Sequence, residues 1–123
     1  MNHVIIGGDS KACRDFIHIV AGAIDHLTVI FPETQYAQSL PADFRGNLVI
    51  GDLKEESTLE KANISSADTV FIWTMDEDIN ALLAVTAKRV YNVKNVVVYT
   101  CETNNSKLYE KFEIDTVTIH KFL

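Results

Sequence analysis

Residues 5–12 read Ile5-Ile6-Gly7-Gly8-Asp9-Ser10-Lys11-Ala12, an apolar run that breaks into a glycine turn and then into a helical pattern. That order can present backbone N–H groups to a phosphate at a helix N-terminus. In the dinucleotide fingerprint G-x-G-x-x-G/A, the first glycine makes the tight turn and the second lets the backbone approach the pyrophosphate. The third position allows close helix–sheet packing. Gly7 supplies the first element, Ala12 the third, and Asp9 stands at the second. A carboxylate about 5 Å from a phosphate oxygen is repelled by on the order of 3 kcal/mol at an effective dielectric near 20, roughly a hundredfold in affinity. Lys11 and Arg14 could offset part of that. The alternative register, Gly8-Ser10-Cys13, fits the fingerprint less well. Asp9 or Ser10 could equally serve as the cap of the first helix, where an acceptor and a negative charge are both stabilising.

Four further positions fall where a nucleotide would meet the sheet, and a fifth on the helix that follows. The second strand ends in Phe31 where an acidic residue would normally take the ribose hydroxyls, with Glu33 two residues on. Gly51-Asp52 closes the third strand, so Asp52 could accept from an adenine amine or a ribose hydroxyl, or cap a turn. Thr74 ends the fourth strand and Asp76 opens the next helix, which places a hydroxyl and a helix dipole at the switch point of the sheet. Asn80, about one turn into that helix, could contact ligand or bond back to the preceding loop.

The elements needed to hold these residues are legible from periodicity. Short β-branched and aromatic runs predict strands at residues 3–6, 27–31, 48–50, 69–74, 95–100 and 116–119. Helices are predicted at residues 11–24, 34–40, 57–62, 78–91 and 105–112. In the first, Phe16, Ile17, Val20, Ala21 and Ile24 form the sheet-facing stripe. In the fourth, Ile79, Leu82, Leu83, Thr86, Ala87 and Val90 do so, leaving Ala81, Ala84, Val85, Lys88 and Tyr91 outward. That outward face is apolar enough to suggest a homodimer. Alternating strands and helices with right-handed crossovers give an α/β, Rossmann-like, doubly wound parallel sheet of six strands, order 3-2-1-4-5-6, in three αβα layers. A flavodoxin-like order is the alternative.

Composition agrees with one ordinary folded domain over residues 1–123: 47% of residues are hydrophobic and 23% charged, with two prolines. The formal charge of −6 and the lack of any Lys/Arg run argue against nucleic-acid binding. Cys13 and Cys101 make neither a disulfide framework nor a metal pair. His3, His18, His26 and His120 are scattered, and no nucleophile–base constellation is readable, so an enzyme is not expected. With no signal peptide or long apolar span, the expected setting is cytoplasmic, without direct membrane insertion.

From Gly51 onward the pattern becomes specific. Val49-Ile50-Gly51-Asp52 is followed by Leu59-Glu60-Lys61-Ala62-Asn63-Ile64, then by Ala67-Asp68-Thr69-Val70-Phe71-Ile72-Trp73-Thr74-Met75-Asp76-Glu77-Asp78-Ile79-Asn80, and later by Leu108-Tyr109-Glu110-Lys111-Phe112 and Asp115. These motifs closely resemble the TrkA-N/RCK family, domains that regulate conductance in K+ channels and K+ uptake systems. The resemblance implies a non-catalytic regulatory lobe that binds NAD(H) or an adenine nucleotide. It further implies a homodimer or larger ring that passes occupancy to a membrane K+ transporter or channel subunit. In the complete family unit a crossover helix and a ligand-sensing lobe follow the sixth strand, so the chain is expected to be an isolated amino-terminal lobe or a reduced stand-alone relative. Several positions depart from the family pattern. Asp9 and Phe31 are two, and the end of the fifth strand, Val98-Tyr99-Thr100-Cys101, lacks a basic residue. Ile72 and Trp73 are bulky where small residues are common, so that one of them could fill adenine space. Glu113 replaces a usual glycine. These departures favour weak binding, or a module that has lost its nucleotide and serves in dimerisation or docking.

Overall fold

Side chains alternate across a strand, and in the computed structural model, which describes residues 1–119, that alternation sorts the apolar residues into two cores. Ile6, Ile30, Val70, Ile72, Val96 and Val98 point to one face of the sheet, where they meet Leu59, Leu83, Ala84 and Ala87. Ile5, Val29 and Phe31 point to the other and pack on Cys13 and Ile17. Each fully buried Ile or Val contributes about 1.5–3 kcal/mol relative to exposure, which makes these strands the anchor of everything above them.

The elements run β1 (Asn2–Gly7), α1 (Lys11–Ala21), β2 (His26–Phe31), β3 (Asn47–Ile50), α2 (Glu56–Lys61), β4 (Thr69–Trp73), α3 (Glu77–Arg89), β5 (Asn95–Thr100), α4 (Ser106–Lys111) and β6 (Asp115–Thr118), with 3-10 turns at Thr34–Ser39 and Ile64–Ser66. The six strands lie in the order β3-β2-β1-β4-β5-β6, and every neighbouring pair is parallel. This is the doubly wound topology expected from the alternating pattern. The order reverses beside β1, so the β1–α1 and β4–α3 turns stand side by side at the carboxyl edge of the sheet.

Several boundaries differ from the sequence expectation for identifiable reasons. α1 stops at Ala21 because Gly22, Ala23 and Ile24 all turn their N–H groups onto the Val20 carbonyl. Residues 34–39 wind as a 3-10 turn that buries no residue, so nothing pulls them into a longer helix. The largest correction concerns α3. Its buried stripe is Asn80, Leu83, Ala84 and Ala87, whereas Leu82 and Val90, predicted to face the sheet, are 51% and 62% exposed. Small alanines let the helix approach the strands closely, and Asn80, which is 0% exposed, fixes its rotation. Glu113 adopts φ 57° at the turn into β6, a left-handed conformation that explains why glycine suits that position. His120 lies outside the described residues.

Candidate functional site

The glycine turn is built for thinness. A Cβ on Gly7 would sit 2.1 Å from the Trp73 carbonyl oxygen, and one on Gly8 would sit 2.3 Å from the Phe31 ring. Gly8 also has φ 95°, a conformation that side chains rarely adopt. Phe31 therefore props the turn from beneath. It is fully buried and packs edge-on to Tyr36, 6.3 Å between centroids, so it does not face a ligand as its place at the end of β2 suggested. Burial also pushes the Cys13 thiol, under the same turn, up to about 11. It stays protonated and non-nucleophilic at neutral pH.

The two capping alternatives for α1 resolve cleanly. Ser10 is the N-cap, its hydroxyl accepting from the Cys13 N–H at 3.2 Å. Asp9 instead reaches across to the next turn, where its carboxylate accepts from the Met75 N–H at 3.1 and 3.2 Å. The basic residues expected to compensate it are engaged elsewhere. Lys11 pairs with Asp15 at 2.8 Å, and the exposed pair holds the Asp15 carboxyl below its ordinary value. The Arg14 guanidinium donates to the Gly8 carbonyl at 2.8 Å and lies 5.6 Å over the Tyr36 ring.

The β4–α3 turn is closed by its own side chains. Asn80 Oδ1 accepts from the Thr74 N–H at 3.0 Å and from its hydroxyl at 2.6 Å, while Asn80 Nδ2 donates to the Thr74 carbonyl at 3.1 Å. The Thr74 hydroxyl also accepts from the Asp76 N–H at 3.1 Å. Asp76 caps α3 by accepting from the N–H groups of Asp78 and Ile79. Of the two roles open to Asn80, the bond to the preceding loop is the one it makes. Asp52 similarly accepts from the Lys54 N–H at 2.9 Å, closing a turn after β3.

Between these turns lies an open cleft of about 390 Å³ at the ends of β1 to β4. It brings together Asp9, Asp52, Thr74 and Asp76 from the sequence-derived candidates with Glu33, the acid noted two residues past Phe31, and adds the apolar Leu53 and Ile79. Leu53 and Ile79 carried no signal beyond apolarity. Gly8, Ser10 and Asn80 support the cleft without lining it. Ala12 and Ser10 line a smaller hollow of about 180 Å³ on the β4–β5 side. Trp73 and Tyr99 stack there with centroids 4.1 Å apart, so Trp73 is not in the cleft, and Ile72 is buried in the core. At the end of β5 the Glu77 carboxylate takes the Thr100 hydroxyl at 2.8 Å and the Cys101 N–H at 3.1 Å. An acid from α3 thus occupies the place where a basic residue is missing.

The profile of the TrkA-N domain matches residues 4–120. The chain belongs to the TrkA-N domain family. Among solved structures, the GsuK RCK domain superposes with a TM-score of 0.73 at 17% identity, covering 95% of this chain and 25% of that one. The AMP-bound form of the Kef CTD from Shewanella denitrificans gives 0.71 at 16% identity, covering 96% of this chain and 72% of that one. A wide-type short-chain dehydrogenase/reductase from Veillonella parvula DSM 2008, in complex with NADP, gives 0.65 at 19% identity, covering 83% of this chain and 48% of that one. This TrkA-N domain thus spans a quarter of the GsuK chain, and at these identities the likeness is one of fold. A comparison with curated proteins gives no match.

Proposed function

We propose that this TrkA-N domain is a non-catalytic regulatory lobe whose cleft receives an adenine mononucleotide in preference to a dinucleotide. The observation that carries this reading is the asymmetry of the carboxyl edge. The β1–β4 side holds an open cleft of about 390 Å³ lined by Glu33 and Asp52, whose carboxylates in this reading accept from ribose hydroxyls or an adenine amine. The β4–β5 side, where a second nucleotide half would extend, is narrowed by the Trp73–Tyr99 stack and the Glu77 ties to Thr100 and Cys101. The AMP-bound Kef CTD is a precedent in fold. Residues 1–123 act as one domain in this reading. Occupancy is passed through a homodimer or larger ring to a membrane K+ transporter or channel subunit on the cytoplasmic side. Exposed Leu82 and Val90 on α3 are the surface offered for self-association. Among the described residues no helix is long and apolar enough to cross a membrane.

A second reading is favoured by Asp9. Its carboxylate already takes the Met75 N–H that a phosphate would use, and no lysine or arginine lines the cleft. On that reading the module has lost its nucleotide and serves in docking alone. Thermal shift with AMP, ADP, ATP, NAD+ and NADH separates the two, because a ligand that binds only the native state raises its stability. AMP is expected to raise Tm by about 2 °C or more at millimolar concentration, and NAD+ by no more than AMP. In Asp9→Gly the AMP affinity is expected to rise about tenfold or more as the repulsion is removed. No shift with any nucleotide, in either protein, would establish the docking module instead.

A further inference from the structure

The amino edge of the sheet carries a second concavity, opposite the cleft and of contrary charge. It is an open hollow of about 230 Å³ among the loops that enter β1, β2, β3 and β4, and its wall is more polar than apolar. Arg45 and Lys61 both line it, with His26, Asn47 and Asn63, and Asp25 is the single carboxylate there. Neither cation is in a salt bridge: the sole ion pair among the described residues is Lys11–Asp15.

Lys61 alone would need no special account, since it sits in the last turn of α2, where a helix favours a cation. Arg45 has no such reason. It lies in the loop before β3, outside any helix, yet it converges on the same hollow. The floor is fixed rather than loose. Asn2 donates from its backbone N–H to the Asp68 carboxylate at 2.7 Å and from its side chain to the Ser66 carbonyl at 3.2 Å. Asn63 is held at φ 55° where α2 gives way to the next turn. In a chain of charge −6, Arg45 and Lys61 are two exposed cations without an ion pair on the wall of one open polar hollow, a local excess of positive charge that an anion would complement. A planar guanidinium beside a compact ammonium suits a tetrahedral oxyanion, the first giving a fork of donors and the second a point charge.

We infer that this pocket binds a small phosphoryl dianion between Arg45 and Lys61, with the amides of Asn47 and Asn63 available to the remainder of the ligand. The proposal is independent of the nucleotide cleft, which lies at the other end of the strands, so each can fail without the other.

The test is an amide NMR titration of the full chain with inorganic phosphate, at ionic strength held constant with sodium chloride, with succinate as a parallel dianion. Saturable shifts are expected at His26, Gly46, Asn47 and Asn63, with succinate weaker than phosphate. The double variant Arg45→Gln/Lys61→Gln is expected to raise Kd by about tenfold or more, Arg45→Lys to fall between, and Lys107→Gln, at an exposed position of α4, to change nothing. Both glutamine substitutions fall on exposed residues, so the spectrum of the variant reports its fold directly. A non-saturating drift, shifts centred on Gly8 and Ser10 at the opposite edge, or an unchanged Kd in the double variant would overturn the site. Succinate binding as tightly as phosphate would overturn the phosphoryl assignment.

Discussion

Two strand-to-helix turns lie side by side at the carboxyl edge of this sheet, and they are held together in opposite ways. The β4–α3 turn is satisfied from within at every group but the Met75 N–H: Asn80 meets the N–H, the hydroxyl and the carbonyl of Thr74, and Asp76 caps the helix. The β1–α1 turn is held largely from outside, by Asp9 on the Met75 N–H, by Arg14 on the Gly8 carbonyl, and by Phe31 beneath. At the first turn a ligand can compete only for the Met75 N–H, because the polar groups of Thr74 are paired by a buried side chain. At the second, the Asp9 contact is a surface hydrogen bond that an incoming anion could displace. The difference separates a turn that is part of the core from one that could respond to occupancy.

The strongest way to break this comparison is Asn80→Ala. The substitution removes a fully buried side chain and leaves the Thr74 N–H and carbonyl without those partners, a loss of about 3 kcal/mol or more by urea denaturation. A loss below about 1 kcal/mol would mean that the β4–α3 turn does not depend on its clamp, and the contrast would disappear. Gly8→Ala should follow. The added methyl would stand 2.3 Å from the Phe31 ring in a backbone conformation with φ 95°, for a cost of about 2 kcal/mol or more. Combining it with Phe31→Leu tests the mechanism, since the double variant should cost less than the sum of the singles if the ring is what the methyl meets.

The sequence made the sheet and its order legible because parallel strands buried on both faces are continuous apolar runs, and because helices alternate with them. It made the family legible through the run from Gly51 to Asn80. Tertiary choices were less visible. The reading of α3 put Leu82 inward and Ala84 outward, yet Ala84 takes the sheet-facing side beside Leu83 and Ala87, since close packing rewards small residues there and Asn80 pins the rotation. The role of Asp9 was hidden for a related reason. Its partner, the Met75 N–H, is a backbone group far along the chain, and backbone donors leave no trace in a residue pattern. Phe31 marked the right strand end, but its side chain points into the α1 core, and Glu33 takes the exposed position two residues on.

Helix caps give the finest test of the comparison, because both helices begin at the same sheet edge with an oxygen cap of different reach. Asp76 accepts from two N–H groups, at 2.9 and 3.1 Å, and brings a negative charge to a helix N-terminus. Ser10 accepts from one, at 3.2 Å, without charge. Replacing Ser10 by alanine should therefore cost about 1 kcal/mol or less, and replacing Asp76 by alanine more, within the ordinary range of about 0.5–2 kcal/mol for lost caps. Hydrogen exchange on the first turn of each helix would localise the effect. Ser10→Ala should speed exchange at Cys13 and leave Ile79 unchanged, and the converse should hold for Asp76→Ala. Equal losses, with exchange spreading into both turns from either variant, would show that the Asp9–Met75 contact couples the two turns into one unit, and that the β1–α1 turn is no easier to open than its neighbour.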